Sequence, residues 1–224
     1  MGAESAGHAE VPLPRLPTPE SVAPLAEVVR RFAERGWLDG DWGNFSLIAS
    51  REPMRLWISL AGRDRRRLGP EDFVLVDAAG KPCHEDSPEP PPEAHVHGVL
   101  AEHLTQITCI VHTQSPWAEL LTDRPYPQNN LPLDAYETIR GLTGMSPASR
   151  VNIKVFDQPQ HWHELVRRLR LVLPENSLAL RFGFFLKRHG LYAWGRDPNE
   201  ARRHVETIEH LLDLKARLFM LTGE

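Results

Sequence analysis

Cysteine is scarce in this sequence of 224 residues, which contains only Cys83 and Cys109. Two cysteines so far apart form neither a disulfide framework nor the closely spaced pair of a structural metal site. Cys109 lies within an apolar run and is interpreted as a small buried residue. A chain of this length can bury one substantial hydrophobic core, so a single domain is the leading interpretation.

Long apolar runs and an excess of basic residues are also lacking. Because no run of about 18 apolar residues is present, no segment is predicted to span a membrane. The formal net charge of -4 and a pI of about 6.3 argue against nucleic-acid binding. The N-terminus lacks the charged and then apolar pattern of a signal peptide, so a cytoplasmic location is expected.

The chain divides into an N-terminal extension and one domain. Residues 1–17 are rich in alanine, glycine, proline and glutamate without periodicity, and they are predicted to be disordered. In the domain, residues 18–224, helical and strand patterns alternate, which predicts an α/β layered fold. Helices are predicted over residues 22–33, 94–104, 133–142, 161–173 and 198–221. Strands are predicted over residues 45–48, 55–60, 73–76, 107–111, 151–156 and 182–186.

Two histidines follow apolar strand patterns. His112 comes where the run that begins at Ile107 ends, and His189 follows the aromatic run 182–186. Glu93 precedes a predicted helix, directly after the acidic and proline-rich stretch 85–92. Two strand-end histidines and a carboxylate are sufficient for a metal or acid/base site, provided that the fold brings them together.

Each of these residues also has an ordinary structural interpretation. A strand-end histidine is usually a packing or surface residue, and Glu93 can simply stabilise a helix N-terminus. His95 and His97 cannot share a helix face because they are two residues apart, so they are interpreted as rim or surface residues. The residue types alone leave these alternatives open.

Several motifs together resemble the class II aldolase/adducin family: Gly43-Asn44-Phe45-Ser46, Gly62-Arg63-Asp64, Glu93, His112-Thr113 and His189-Gly190-Leu191. Tyr136-Glu137, with the run 139–142, is similar to a dehydratase subgroup that acts in methionine salvage. The resemblance covers nearly the whole chain from about residue 22. It implies a three-layer α/β/α fold with a central mixed, largely antiparallel sheet, and a homotetramer with active sites near subunit interfaces.

The resemblance also implies a set of functional residues. A divalent metal, usually zinc, would be held at the positions of His112, Gln114 and His189. Glu137 and Glu93 would be the catalytic carboxylates. The substrate would be bound around Gly43, Asn44, Gly62 and Arg63.

Two features depart from the family pattern. Gln114 stands where the family has a second histidine, and an amide is a weaker zinc ligand than an imidazole. Zinc would then bind less tightly, iron or manganese would be favoured instead, or no metal would bind. A further alternative is that His95 or His97 replaces the missing ligand. The serines or threonines that usually surround a phosphate are replaced by Trp42, Ala61, Pro91 and Pro92, so phosphate binding is an open question.

The resemblance implies a metal-dependent lyase that removes water from a ketose or ketose phosphate, through a metal-stabilised enediolate. A small molecule is the expected partner. One alternative is a sugar aldolase of the same family that acts on another substrate. Another is a non-catalytic oligomerisation domain, comparable to the adducin head, that has lost its metal.

Overall fold

A computed structural model describes residues 19–134 and 136–223 of the chain. The predicted disordered extension, residues 1–17, lies outside the described residues. Five α-helices are present in the described part: α1 (Ala23–Glu34), α2 (Ala94–His103), α3 (Pro116–Thr122), α4 (Trp162–Val172) and α5 (Pro198–Thr222). The eight strands there are β1 (Phe45–Arg51), β2 (Met54–Ser59), β3 (Phe73–Asp77), β4 (Cys109–Thr113), β5 (Asn130–Leu133), β6 (Val151–Phe156), β7 (Gly183–Leu186) and β8 (Gly190–Gly195).

All eight of these strands form one sheet in the order β3-β2-β1-β4-β8-β7-β6-β5. Neighbouring strands are antiparallel except for β6 and β7, which are parallel. This arrangement confirms the predicted mixed, largely antiparallel sheet. It also brings β4 and β8 together at the centre of the sheet, although they are far apart in the sequence.

Each face of the sheet is covered by its own apolar cluster. Residues of α1, α3 and α5 form one cluster, and residues of α2 and α4 form the other. Alternate residues of β4 point to opposite faces, so Ile110 belongs to the α2 and α4 side whereas Val111 belongs to the α5 side. The predicted three-layer α/β/α architecture is therefore confirmed.

Three elements of the structure, β5, α3 and β8, were not predicted, and one predicted helix is shorter than expected. The strand β5 contains Pro132, which cannot donate a ladder hydrogen bond, and it lies at the edge of the sheet where that loss is tolerated. A helix was predicted over residues 133–142, but only a short 3-10 helix forms there, Glu137–Gly141. The helix α3 begins with Ser115 as its cap, whose side chain accepts a hydrogen bond from the Ala118 backbone, and with Pro116 at its first position. The strand β8 was not predicted either.

The longest helix of the described residues, α5, follows its predicted start. The Asp197 side chain caps it by accepting a hydrogen bond from the Glu200 backbone at 2.8 Å, and Pro198 occupies the first position. Within residues 19–134 and 136–223, no helix combines the length and apolar character needed to cross a membrane.

Candidate active site

Neighbouring strands place Asn44 beside His112. The β1 residue Phe45 pairs with Val111 of β4, and the His112 backbone N–H donates to the Asn44 carbonyl at 2.8 Å. Gly43 has a φ of +82°, and a side chain there would collide with the His112 carbonyl oxygen. The glycine of the Gly43-Asn44 motif is therefore required by the close approach of this loop to β4.

His112 is buried against the α2 and α4 side of the sheet. Its ring stacks on that of Tyr192 in β8, with centroids 4.1 Å apart. Both ring nitrogens are buried, and neither has a hydrogen-bond partner among the described residues. Burial, together with nearby His189 and His97, holds the pKa of His112 well below its ordinary value. A neutral imidazole with two unpaired nitrogens is unusual in a protein interior and is suited to a ligand.

His189 lies next to His112, with ring centroids 4.9 Å apart. It belongs to the tight turn between β7 and β8, where Gly190 has a φ of +155° and a side chain would collide with the Thr113 carbonyl oxygen. Arg188 fixes the turn to the end of α3 through two bonds to the Asp123 carboxylate, at 2.7 and 2.9 Å. Burial lowers the pKa of His189, so this imidazole is also neutral at pH 7.

Gln114 completes a group of three possible metal donors. Its amide nitrogen lies 3.4 Å from Nε2 of His189, and a half-turn of the amide would present Oε1 there instead. No three histidine, cysteine, aspartate or glutamate side chains in the described part of the chain form a metal-binding group. The unpaired nitrogens of His112 fit a divalent metal, which would be held by two imidazoles and an amide oxygen. Such a set of ligands binds zinc less tightly than three imidazoles would.

A cavity of about 460 Å³ is lined by Gly43 and Asn44, and the Asn44 backbone is bonded to that of His112. It is lined by three of the predicted substrate-binding residues, Gly43, Asn44 and Gly62, and by the predicted catalytic residue Glu93. The positions that depart from the family pattern line it too: Trp42, Ala61, Pro91 and Pro92. The cavity wall therefore offers apolar surface where side-chain hydroxyl groups were expected.

Among the described residues, the cationic side chain that lines this cavity is Arg65, whereas the predicted substrate-binding residue Arg63 is not one of its lining residues. Arg63 is half-exposed and forms an ion pair with Asp72 at 3.4 Å. Arg65 is only 2% exposed, and its guanidinium donates to the carbonyls of Leu60, Gly43 and Asp41 at 3.0, 2.7 and 3.1 Å. Its two remaining donors are the ones available to a ligand.

Glu93 lies at the N-terminal end of α2 and faces the cavity. Burial raises the pKa of its carboxyl group, while its own backbone N–H and the Arg65 charge oppose that shift. Glu93 also contributes to raising the pKa of the Tyr192 hydroxyl, which burial already places well above its ordinary value. The raised pKa makes this carboxyl group a better proton acceptor than an ordinary glutamate.

Glu137 lies apart from the cavity within one chain. It belongs to the exposed 3-10 helix Glu137–Gly141, whose Ile139 packs into the cluster on the α5 face, and it pairs with Arg140 at 3.0 Å. Since His112 faces the α2 side, the sheet separates these two residues. One chain by itself does not bring Glu137 to the histidine pair.

His97 was missed by the sequence interpretation. It was interpreted as a rim or surface residue, but it is fully buried between Ser46 and Asn44, and its ring contacts Tyr192 edge-on at 5.8 Å. The sequence did contain one indication of this burial. Val96 and residues 99–101 make α2 apolar on nearly all sides, as expected for a buried helix.

These features define a class: an α/β protein with an open mixed sheet, in which buried His112 of a central strand lies against half-buried His189 of the β7–β8 turn. The chain belongs to the class II aldolase and adducin family. The family described as "Class II Aldolase and Adducin N-terminal domain" matches residues 23–216. The predicted resemblance is therefore confirmed.

Similar proteins are found by sequence and by structure. The chain is 32% identical over 214 residues to a methylthioribulose-1-phosphate dehydratase of Xanthomonas campestris, covering 92% of this chain and 95% of the relative. A dehydratase of the same name from Stenotrophomonas maltophilia is 32% identical over 201 residues, covering 89% and 91% of the two chains.

Among solved structures, L-fuculose 1-phosphate aldolase superposes with a TM-score of 0.68 at 22% identity, covering 89% of this chain and 86% of that one. A putative aldolase/epimerase/decarboxylase, YgbL of Klebsiella pneumoniae, gives a TM-score of 0.72 at 19% identity, covering 90% and 91%. At these identities the structural likeness establishes the shared fold.

Proposed function

We propose that this protein is a metal-dependent carbon–oxygen lyase that removes water from a ketose or a related hydroxy-ketone. The observation that carries the proposal is the buried His112, whose two ring nitrogens have no hydrogen-bond partner among the described residues and whose ring lies against that of His189. The relatives named methylthioribulose-1-phosphate dehydratase, which align with over nine-tenths of the chain, support dehydration.

The chemistry divides between the metal and the protein side chains. When bound by His112, His189 and Gln114, a divalent metal would act as a Lewis acid toward the substrate carbonyl. The carboxylate of Glu137 takes the proton from the carbon next to that carbonyl and returns one to the departing hydroxyl group. Glu93, with its raised pKa, can hold a proton at the cavity wall, and Asn44 and Arg65 orient the substrate oxygens.

Because the sheet separates Glu137 from His112 within one chain, we propose that Glu137 acts in the site of a neighbouring subunit. This agrees with the homotetramer that the family resemblance implies. Zinc as the metal, methionine salvage as the pathway and the cytoplasm as the location complete the proposal.

The test begins with elemental analysis of the purified protein, followed by mass spectrometry of candidate substrates. About one metal ion per chain, with loss of water from methylthioribulose 1-phosphate, supports the proposal. Because the cavity wall has apolar residues at the usual hydroxyl positions, the unphosphorylated ketose is assayed in parallel. Metal-free protein without turnover would support the non-catalytic, adducin-like alternative, which the lack of a third histidine favours.

Replacing Gln114 with histidine should increase the metal affinity by at least about tenfold, or about 1.4 kcal/mol, because imidazole replaces a neutral amide oxygen. Competition with a chromogenic chelator measures the change. Gln106→His, in the exposed loop before β4, is the matched control and should leave the affinity unchanged. Equal affinities for Gln114→His and the native protein would mean that residue 114 does not contact the metal.

A further inference from the structure

A short chain of buried polar groups lies behind the cavity wall. His97 is 0% exposed, with its Nδ1 atom 2.7 Å from the Ser46 hydroxyl and its Nε2 atom 2.6 Å from Oδ1 of Asn44. Within the described residues, the Ser46 hydroxyl has no other hydrogen-bond partner. Asn44 is the end of this chain that reaches the cavity.

The chemistry of these groups fixes the direction of both hydrogen bonds. An amide oxygen only accepts, so Nε2 of His97 must carry the proton that it donates to Asn44. Burial lowers the pKa of His97 to about 3, so the ring is neutral and has a single N–H. Its Nδ1 atom therefore accepts a hydrogen bond, which the Ser46 hydroxyl donates. The Ser46 hydroxyl, both ring nitrogens of His97 and Oδ1 of Asn44 then all have a hydrogen-bond partner.

The opposite arrangement is less favourable. If the Asn44 amide turned over, its NH2 group would donate to Nε2, and His97 would carry its proton on Nδ1 and donate to Ser46. The Ser46 hydroxyl proton would then be buried without an acceptor, which is costly.

We propose that Ser46 and His97 are positioning residues that hold the Asn44 amide with its NH2 group toward the cavity, where it donates to an oxygen atom of the substrate. This inference rests on the proposed function for the nature of the substrate. The site then selects a ligand that has an acceptor oxygen, either a carbonyl or a hydroxyl, near His112 and His189. An analogue without that oxygen leaves the amide donor unpaired and binds more weakly.

The orientation is tested by NMR of protein labelled with ¹⁵N-histidine. The native protein should show His97 as the Nε2–H tautomer, assigned by loss of its signals in His97→Gln. Ser46→Ala removes the hydroxyl donor and should give a mixture of tautomers. Ser59→Ala, which removes another buried serine hydroxyl bonded to the Phe45 backbone, should keep the native tautomer. An Nδ1–H tautomer in the native protein overturns the proposal.

The consequence for the substrate is tested by kinetics. Ser46→Ala should raise KM by about tenfold, the effect of one lost hydrogen bond, with kcat within about twofold of native. Ser46→Thr, which keeps the hydroxyl, should restore both the tautomer and KM. An unchanged KM for Ser46→Ala contradicts substrate recognition by the Asn44 amide. If the native protein turns over no ketose, the proposed function fails, while the NMR result still decides the orientation of Asn44.

Discussion

Replacing His112 with alanine is expected to remove the metal and to lower kcat/KM by at least about a thousandfold, because Lewis-acid stabilisation is worth several kcal/mol. His112 is the candidate ligand whose ring nitrogens are both buried and unpaired. Within residues 19–134 and 136–223, no protein group forms a hydrogen bond with these atoms. Elemental analysis and steady-state kinetics on the same preparation measure the two effects together.

The interpretation of that variant requires controls for folding. His112 is 1% exposed and stacks on Tyr192, so its removal leaves a cavity and lowers stability. His112→Gln retains most of the volume and should show the same loss of turnover. His84→Ala, at an exposed histidine that does not line the cavity, should leave metal content and turnover unchanged. A native metal content in folded His112→Ala protein would contradict the assigned site.

Replacing Glu137 with glutamine is expected to lower kcat by about 10²–10⁴-fold, the usual contribution of one acid/base group. The metal content should stay native because Glu137 does not approach the histidine pair within its own chain. Glu27→Gln is the matched control, since Glu27 is also exposed and pairs with Arg31 at 3.2 Å. Nearly full turnover of Glu137→Gln would indicate that the enzyme is an aldolase instead of a dehydratase.

Mixing the two inactive variants tests whether a site is shared between subunits. If Glu137 acts in a neighbouring site, chains with His112→Ala and chains with Glu137→Gln complement each other when they assemble together. Random mixing at equal amounts should restore roughly a quarter of the native activity, because a native site then needs two unaltered positions from different chains. No recovery in mixed oligomers, confirmed by tagged subunits, would place the acid/base function elsewhere.

The regular elements depend on local patterns, and most of them were predictable from the sequence. The spacing of apolar residues predicted α1, α4 and α5, and runs of β-branched and aromatic residues predicted β1 to β4, β6 and β7. Failures occurred where the local pattern was ambiguous. A proline within β5 argues against a strand unless the strand is known to lie at a sheet edge, which is a property of the assembled sheet.

For the candidate site, the sequence indicated which residues to consider, but it did not indicate which of them contact each other. His112, His189, Asn44 and Glu93 were predicted as site residues; the two histidine rings contact each other, and Asn44 and Glu93 line one cavity. Arg63 was predicted to bind substrate and Arg65 was not, because neighbouring arginines in one loop look equivalent in sequence. Only the folded chain buries Arg65 against the carbonyls of Leu60, Gly43 and Asp41 and leaves Arg63 at the surface.

The sequence by itself determined the family, the three-layer class of fold and the types of side chain available for chemistry, because these depend on composition, periodicity and motifs. Only the tertiary structure decided which side chains meet. The pairing of β4 with β8 brings His112 to His189, and the burial of His97 orients Asn44. The sheet itself keeps Glu137 on the opposite face. Such relations arise from contacts between residues distant in sequence, and no local pattern encodes them.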